Sequence, residues 1–310
     1  MQHSIKIGTR GSPLALAQAN DVKARLVKAH EDLDDTNVEI VVIKTTGDRI
    51  LDRHLMNAGG KGLFTKEIDC AVHSSKDMPT SLPDGLILST FLEREDPRDV
   101  FISAQYASFA ELPEGATLGT ASLRRRAMAL RLRPDLKVVT FRGNVQTRMR
   151  KLADGEADAT FLALAGLNRL GMPDAATEVL SLADFLPAPA QGAVTVEIRE
   201  EDAAMAARLA PLHCADTALA VTAERTFLSA LDGSCRTPIA AYAKLDGETL
   251  AMHAMLLSLD GKTVFDQKAT CAATLDAAAR LGQDMGTAIR GDAGEAFFED
   301  LASAIEAEIA

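Results

Sequence analysis

The chain has 310 residues, 47% of them hydrophobic and 25% charged, and a formal net charge of −11. It is long enough for two or three domains of about 100 residues each, and with no run near roughly 18 uninterrupted apolar residues no transmembrane segment is expected. Its acidic balance excludes the generally basic surface that coats a nucleic acid backbone. At the amino terminus, residues 5–8 predict a short strand, Arg10-Gly11 a turn, and Ser12-Pro13 a helix start, with a capping hydroxyl ahead of proline at the first helical position. Ala15, Ala19, Val22, Leu26 and Ala29 then recur on one helix face. Lys6, Arg10 and Leu14-Ala15-Leu16-Ala17 imitate a secretory signal, but Gly11, Ser12 and Pro13 interrupt it and its apolar run is too short.

Further along, the β-branched run 38–43 predicts a strand buried on both faces, and 158–163 reads likewise. Leu118-Gly119-Thr120 reads as a strand end, and Ser122 caps a helix over 123–133 that Pro134 stops. A strand over 138–141, a turn at Arg142-Gly143-Asn144 and a helix over 145–152 follow. Gly8-Thr9 with Ser12, and Gly119-Thr120 with Ser122, are two versions of one strand-turn-helix unit, which suggests two α/β lobes. Pro187-Ala188-Pro189-Ala190-Gln191-Gly192 is a linker, after which 194–198 reads as a strand returning to one lobe. From about Ala215 a helix to Leu231 leads to two strands joined at Asp246-Gly247 and a third after Asp260-Gly261. Two alanine-rich helices, 275–289 and 295–309, complete a small α+β domain whose three-stranded antiparallel sheet has helices on one face.

Charge is the most informative pattern. Between Arg124 and Lys151 stand ten basic residues and one acid, Asp135. Arg124, Arg125 and Arg126 fall in the first turn of their helix, where free amides already attract negative charge, so the triple arginine asks for an anion. Arg142 sits at a strand's carboxyl end, where ligands bind in open α/β sheets. Cys70, Cys214, Cys235 and Cys271 lack metal-ligand spacing and read as reduced thiols in a cytoplasm.

Six motifs occur in order: Gly59-Gly60-Lys61-Gly62-Leu63-Phe64, His73-Ser74-Ser75-Lys76-Asp77-Met78-Pro79, Glu93-Arg94-Glu95-Asp96-Pro97-Arg98-Asp99, Gly119-Thr120-Ala121-Ser122-Leu123-Arg124-Arg125, Arg142-Gly143-Asn144 and Gly233-Ser234-Cys235. Together they closely resemble the porphobilinogen deaminase (hydroxymethylbilane synthase) family over essentially the whole chain. The resemblance implies an α/β fold: two periplasmic-binding-protein-like lobes with mixed sheets around a cleft, plus the small carboxyl-terminal domain. The corresponding domains are 1–93 with 192–212, 94–191, and 213–310. It implies a cytoplasmic, monomeric transferase that joins porphobilinogen units head to tail on a covalent dipyrromethane cofactor, loses ammonia at each step and releases hydroxymethylbilane. No nucleic acid, membrane or metal is implied.

By the same resemblance, Cys235 carries the dipyrromethane through a thioether. Lys76, Arg124 and Arg125 bind its carboxylates, with Ser74, Thr120, Ser122 and Gln191 assisting. Arg10, Arg142, Arg148 and Arg169 line the substrate's place, Ser12 and Gln18 lie nearby, and Phe64 lies against a pyrrole face. Each pyrrole bears an acetate and a propionate, which forked guanidinium groups suit. Asp77 is the catalytic group and also touches the cofactor, since a carboxylate can stabilise the cation that develops as ammonia leaves. His73 reads as a hydrogen-bonded structural residue, and Arg126, Arg131 and Arg133 as helix surface.

One departure from the family stands out. Glu67-Ile68 runs straight into Asp69-Cys70-Ala71-Val72-His73, so the crossover is short by roughly nine residues. A helix over 63–68 would be about 9 Å long and could not cover a strand of about 17 Å. The expectation is exposed apolar surface on strand 69–73, a loosened Lys76-Asp77 loop and impaired turnover. Two other functions use parts of the pattern. A two-lobed binding protein for small carboxylates or oxyanions would need the arginines but neither Asp77 nor Cys235, and a nucleic acid binder would lack stacking aromatics.

Overall fold

The structure, a computed structural model, describes residues 4–43, 59–233 and 237–309. They form two compact units, one of Met1–Glu95 with Gly192–Ala218, the other of Asp96–Gln191 with Leu219–Ala310. In the first unit β1 (Ile5–Thr9) leads through Ser12 into α1 (Pro13–Ala29). The Ser12 hydroxyl accepts from the Ala15 amide at 3.3 Å, so the cap read from the sequence forms. α1 buries Ala19, Val22 and Leu26 against Ile5, Ile7, Cys70 and Val72. Each large apolar side chain so buried contributes about 1.5–3 kcal/mol.

β2 (Val38–Val42), α2 (Gly59–Phe64), β3 (Cys70–Ser74) and β4 (Leu86–Phe91) follow. The chain then builds the second unit with β5 (Asp99–Ile102), β6 (Thr117–Gly119), α3 (Leu123–Leu132), β7 (Lys137–Val139), α4 (Val145–Ala153), β8 (Ala159–Ala163), α5 (Leu164–Arg169) and β9 (Glu178–Val179). It returns through β10 (Val194–Arg199) and α6 (Ala203–Leu209) to the first unit. The first sheet runs β2-β1-β3-β10-β4, with β1, β2 and β3 parallel and β10 antiparallel to both its neighbours. The second sheet has the same plan, β7-β6-β8-β5-β9, with β6, β7 and β8 parallel and β5 antiparallel.

α7 (Ala215–Ala230) leads to β11 (Ile239–Asp246), β12 (Thr249–Leu257), β13 (Val264–Ala272) and α8 (Leu275–Ile309), which breaks at Gly294 with φ +71°. The three strands form the antiparallel sheet expected. Alternation along β12 sends Leu250, Met252, Ala254 and Leu256 towards α7 and α8, while Met255 and Leu257 join the phenylalanine cluster of Phe101, Phe109, Phe161 and Phe185. The small sheet thus shares a core with the arginine-rich segment. Gly261, at the second hairpin, meets α3 so closely that a Cβ there would strike the backbone of Arg131 and Ala127.

The structure corrects three local expectations. Among the described residues β2 is an edge strand, not one buried on both faces: Val38 is buried but Val42 is 45% exposed, because β2 pairs there with β1 alone. The helix expected over 63–68 instead ends at Phe64, where Lys66 at φ +58° reverses the chain and the Glu67 and Ile68 amides return to the Gly62 carbonyl. Strand 69–73 is not bared by the short crossover, since Cys70, Ala71 and Val72 are all buried. α1 covers Cys70 and Val72, while Leu63, Ile68 and Leu86 pack with Ala71 and the partly buried Val41 and Ile43. Gly8 makes room for this plug, because a Cβ there would collide with Ile68.

Candidate functional site

In both units most of the described candidate residues follow the carboxyl ends of adjacent parallel strands, where loops lead into helices. In the first unit, the ends of β1 and β3 bring Arg10, Ser12, Gln18, Ser74 and Asp77 around one pocket of about 100 Å³, with His73 and Glu197 also in its wall. Gln18, buried on α1, exchanges two hydrogen bonds with the Ser74 hydroxyl, 2.8 Å from its Nε2 and 3.1 Å from its Oε1. This ties the helix that follows Ser12 to the strand that precedes Asp77. Asp77 ends a single 3₁₀ turn, Ser75–Asp77, with its side chain exposed at the pocket. His73 Nε2 lies 3.1 Å from the carboxylate of Glu197, a structural role of the kind the sequence suggested. Lys76 shares the Asp77 turn but does not line this pocket. Phe64 is 53% exposed and borders a separate depression with Lys66, Gly85, Arg199, Glu200 and Glu201.

In the second unit, Thr120 and Ser122 join β6 to α3. The Thr120 hydroxyl accepts from the Ser122 amide at 3.2 Å, and the Ser122 hydroxyl accepts from the Arg125 amide at 3.4 Å. The end of β7 leads to exposed Arg142 and to Arg148, whose Nε donates to the Gly143 carbonyl at 2.9 Å. β8 runs directly into α5, whose last residue is Arg169. Because β7, β6 and β8 are neighbours in that order, Arg142, Thr120 and Arg169 follow adjacent strand ends.

Arg124 and Arg125 are not displayed at the surface. Both are buried against Asp99, the first residue of β5, which pairs with Ala163 and so stands at the same end of the sheet. Arg124 Nη2 lies 2.7 Å from one carboxylate oxygen; Arg125 Nη2 and Nε lie 2.7 and 3.2 Å from the other. Gln191 Nε2 donates to that second oxygen at 2.9 Å and to the Pro97 carbonyl at 2.7 Å. Burial alone would raise the Asp99 carboxyl, but Arg124 and Arg125 outweigh it and hold it well below the usual carboxylate range. The anion that the arginine run calls for is thus supplied in part from within the chain. Two guanidinium groups on one carboxylate leave a surplus positive charge, and both Arg124 Nε and Asp99 Oδ2 are buried without a hydrogen-bond partner.

The other arginines of the run also have intramolecular contacts. Arg126 pairs with Glu308, Arg133 is bidentate to Asp135 at 2.7 and 2.8 Å, and Arg131 lies 3.9 Å from the Met255 sulfur. They are half-buried joints within the second unit, not the plain helix surface expected. The linker is similarly fixed: Ala190, at φ +60°, donates to one oxygen of buried Glu224 at 2.5 Å while Ala243 donates to the other at 2.7 Å.

Sequence reasoning missed Asp99, Glu197 and Glu224 as partners. Asp99 had a signal, since it opens the four-residue strand Asp-Val-Phe-Ile, fully buried along its length, and an acid there needs a cation. Ser234 and Cys235 lie outside the described residues. Of the other cysteines, Cys70 is buried and its thiol pushed well above the ordinary value by desolvation, which makes it a poor nucleophile. Burial also raises Cys271. Among the described residues no cluster of His, Cys, Asp or Glu could hold a metal ion, and no helix is long and apolar enough to cross a membrane.

Two family models match the chain: "Porphobilinogen deaminase, dipyromethane cofactor binding domain" over residues 5–207 and "Porphobilinogen deaminase, C-terminal domain" over 218–291. The porphobilinogen deaminase of Nitrobacter winogradskyi is 53% identical over 307 residues, covering 96% of this chain and 96% of the relative. That of Paracoccus denitrificans is 53% identical, covering 96% and 97%, and the chloroplastic enzyme of Oryza sativa 52%, covering 96% and 86%. The chain belongs to the porphobilinogen deaminase family. Solved structures similar to it include a periplasmic substrate-binding protein of an ABC transporter from Coxiella burnetii, with TM-score 0.43 and 16% identity over 68% of this chain and 92% of that one. Another is a methionine-bound nutrient-binding protein from Burkholderia cenocepacia, with TM-score 0.44 and 16% identity over 66% and 90%. At these values the likeness says nothing about ligands.

Proposed function

We infer that this chain is a transferase of tetrapyrrole synthesis that deaminates porphobilinogen and joins its units head to tail on a dipyrromethane cofactor, releasing hydroxymethylbilane. The observation that carries the reading is the surplus positive charge of the Asp99 cluster, with its unmet buried donor, at strand ends that lead on to Arg142, to Arg148 in α4 and to Arg169 at the end of α5. Such a donor set fits a ligand bearing several carboxylates. When bound, the dipyrromethane supplies the primer to which pyrrole units are added. We assign its attachment to Cys235, its carboxylates to Arg124, Arg125 and Lys76 with Ser74, Thr120, Ser122 and Gln191, and those of the substrate to Arg10, Arg142, Arg148 and Arg169. Ser12 and Gln18 support Arg10's loop, and Phe64 offers an exposed aromatic face.

Asp77 is assigned the electrostatic role. As ammonia departs, positive charge spreads over the pyrrole ring, and a fixed carboxylate beside the ring nitrogen lowers that barrier. The shortened crossover does not argue against activity, since β3, which leads to Asp77, is buried on both faces. We propose a monomer working in the cytoplasm and a three-part division into 1–93 with 192–212, 94–191 and 213–310; support for the last boundary is the gap between the two family models. The test is stoichiometric: incubation with porphobilinogen should release one ammonia per pyrrole consumed and yield a linear tetrapyrrole. Consumption without ammonia would remove this reading.

A further inference from the structure

We propose that Asp99 is a positioning residue for the cofactor, fixing the guanidinium planes of Arg124 and Arg125 and the amide of Gln191 before any carboxylate arrives. The inference rests on the reading that those arginines hold the dipyrromethane. Each is gripped from two directions. Arg124 is held by Asp99 Oδ2 and, through Nη1, by the Leu186 carbonyl at 2.8 Å, with its guanidinium 5.9 Å from the centre of the Phe185 ring. Arg125 is held by Asp99 Oδ1 and, through Nη1, by the Phe161 carbonyl at 2.9 Å. A planar fork with two anchored edges keeps one orientation, so the entropy of ordering two long side chains is lost on folding and not on cofactor binding. Asp99 is ion-paired with Arg124 through one oxygen and accepts hydrogen bonds from Arg125 and Gln191 through the other, and is the element common to all three.

Charge alone predicts the opposite of positioning, which makes the proposal testable by sign. Removing a negative charge beside two arginines should strengthen their hold on carboxylates if attraction is all that matters. If geometry matters, it should weaken it. Cofactor occupancy of the full-length protein is read by intact-protein mass spectrometry in Asp99→Asn, Asp99→Glu and Leu256→Ala. The last is a core variant of the same unit that controls for lost stability, measured by thermal midpoint. Occupancy in Asp99→Asn should fall about tenfold or more, the loss expected for one charged hydrogen bond. Asp99→Glu, which keeps the charge on a longer arm, should load to an intermediate level, and Leu256→Ala should load fully.

Wild-type or higher occupancy in Asp99→Asn overturns the proposal, as does an equal loss in Leu256→Ala. If Asp99→Asn does not fold, Asp99→Glu decides alone, and full loading there overturns it. Full loading of Arg124→Gln and Arg125→Gln would instead overturn the assignment of the arginines, whatever Asp99→Asn does.

Discussion

Arg199 donates to the carbonyl of Ile68 at 3.0 Å, and the same Nη1 donates to Leu63 at 3.0 Å, so one guanidinium closes both ends of the turn where the crossover is short. Its Nη2 is held by Asp202 at 2.6 Å. Cutting this clamp with Arg199→Leu should cost about 1.5–3 kcal/mol per charged hydrogen bond lost. Hydrogen exchange should then speed up in Cys70–Ser74 while Ala159–Ala163 in the other unit stays protected. Equal protection in the variant would show that packing around Ile68 suffices.

A helical segment inserted after Ile68 should leave turnover unchanged, because Leu63, Ile68 and Leu86 already cover Ala71. A clear gain in turnover would restore the view that the short connection impairs the enzyme.

Asp77→Asn preserves shape and removes charge. Loss of one preorganised electrostatic group lowers turnover about 10²–10³-fold. Steady-state kinetics should show this in kcat, and near-normal kcat would move the chemistry to another group.

Arg142→Leu and Arg148→Leu should each weaken substrate binding or turnover roughly ten- to a hundredfold or more, at about 1.5–3 kcal/mol per charged hydrogen bond. Arg131→Leu, which touches Met255, should change neither. Equal effects at all three would point to a diffuse field.

Acid should also single out Asp99. Its folded carboxyl is held below the ordinary value of about 3.9, so its contribution to stability is present above that value and lost as the pH falls below it. Near-UV circular dichroism of Asp99→Asn should show a shallower loss of stability below about pH 4 than the wild type. Parallel acid curves would mean that the pair contributes little.

What the sequence disclosed was mostly local chemistry. Ser12 and Ser122 cap helices because a hydroxyl two or three residues from free amides acts within one turn. Arg142 and Thr120 could be placed at strand ends for the same reason. Pairings across long separations were hidden: nothing near Arg125 names Asp99, and nothing near Ala190 names Glu224. β2 misled because a β-branched run reports hydrophobicity and not the number of neighbouring strands. The burial of Arg124 and Arg125 followed from a tertiary partner that helix-end electrostatics could not supply.

Intact-protein mass spectrometry tests the central claim most directly. Purified protein should carry a dipyrromethane adduct, gain mass in single pyrrole steps when porphobilinogen is added, and lose both features in Cys235→Ala. An active enzyme with the bare polypeptide mass would contradict the account.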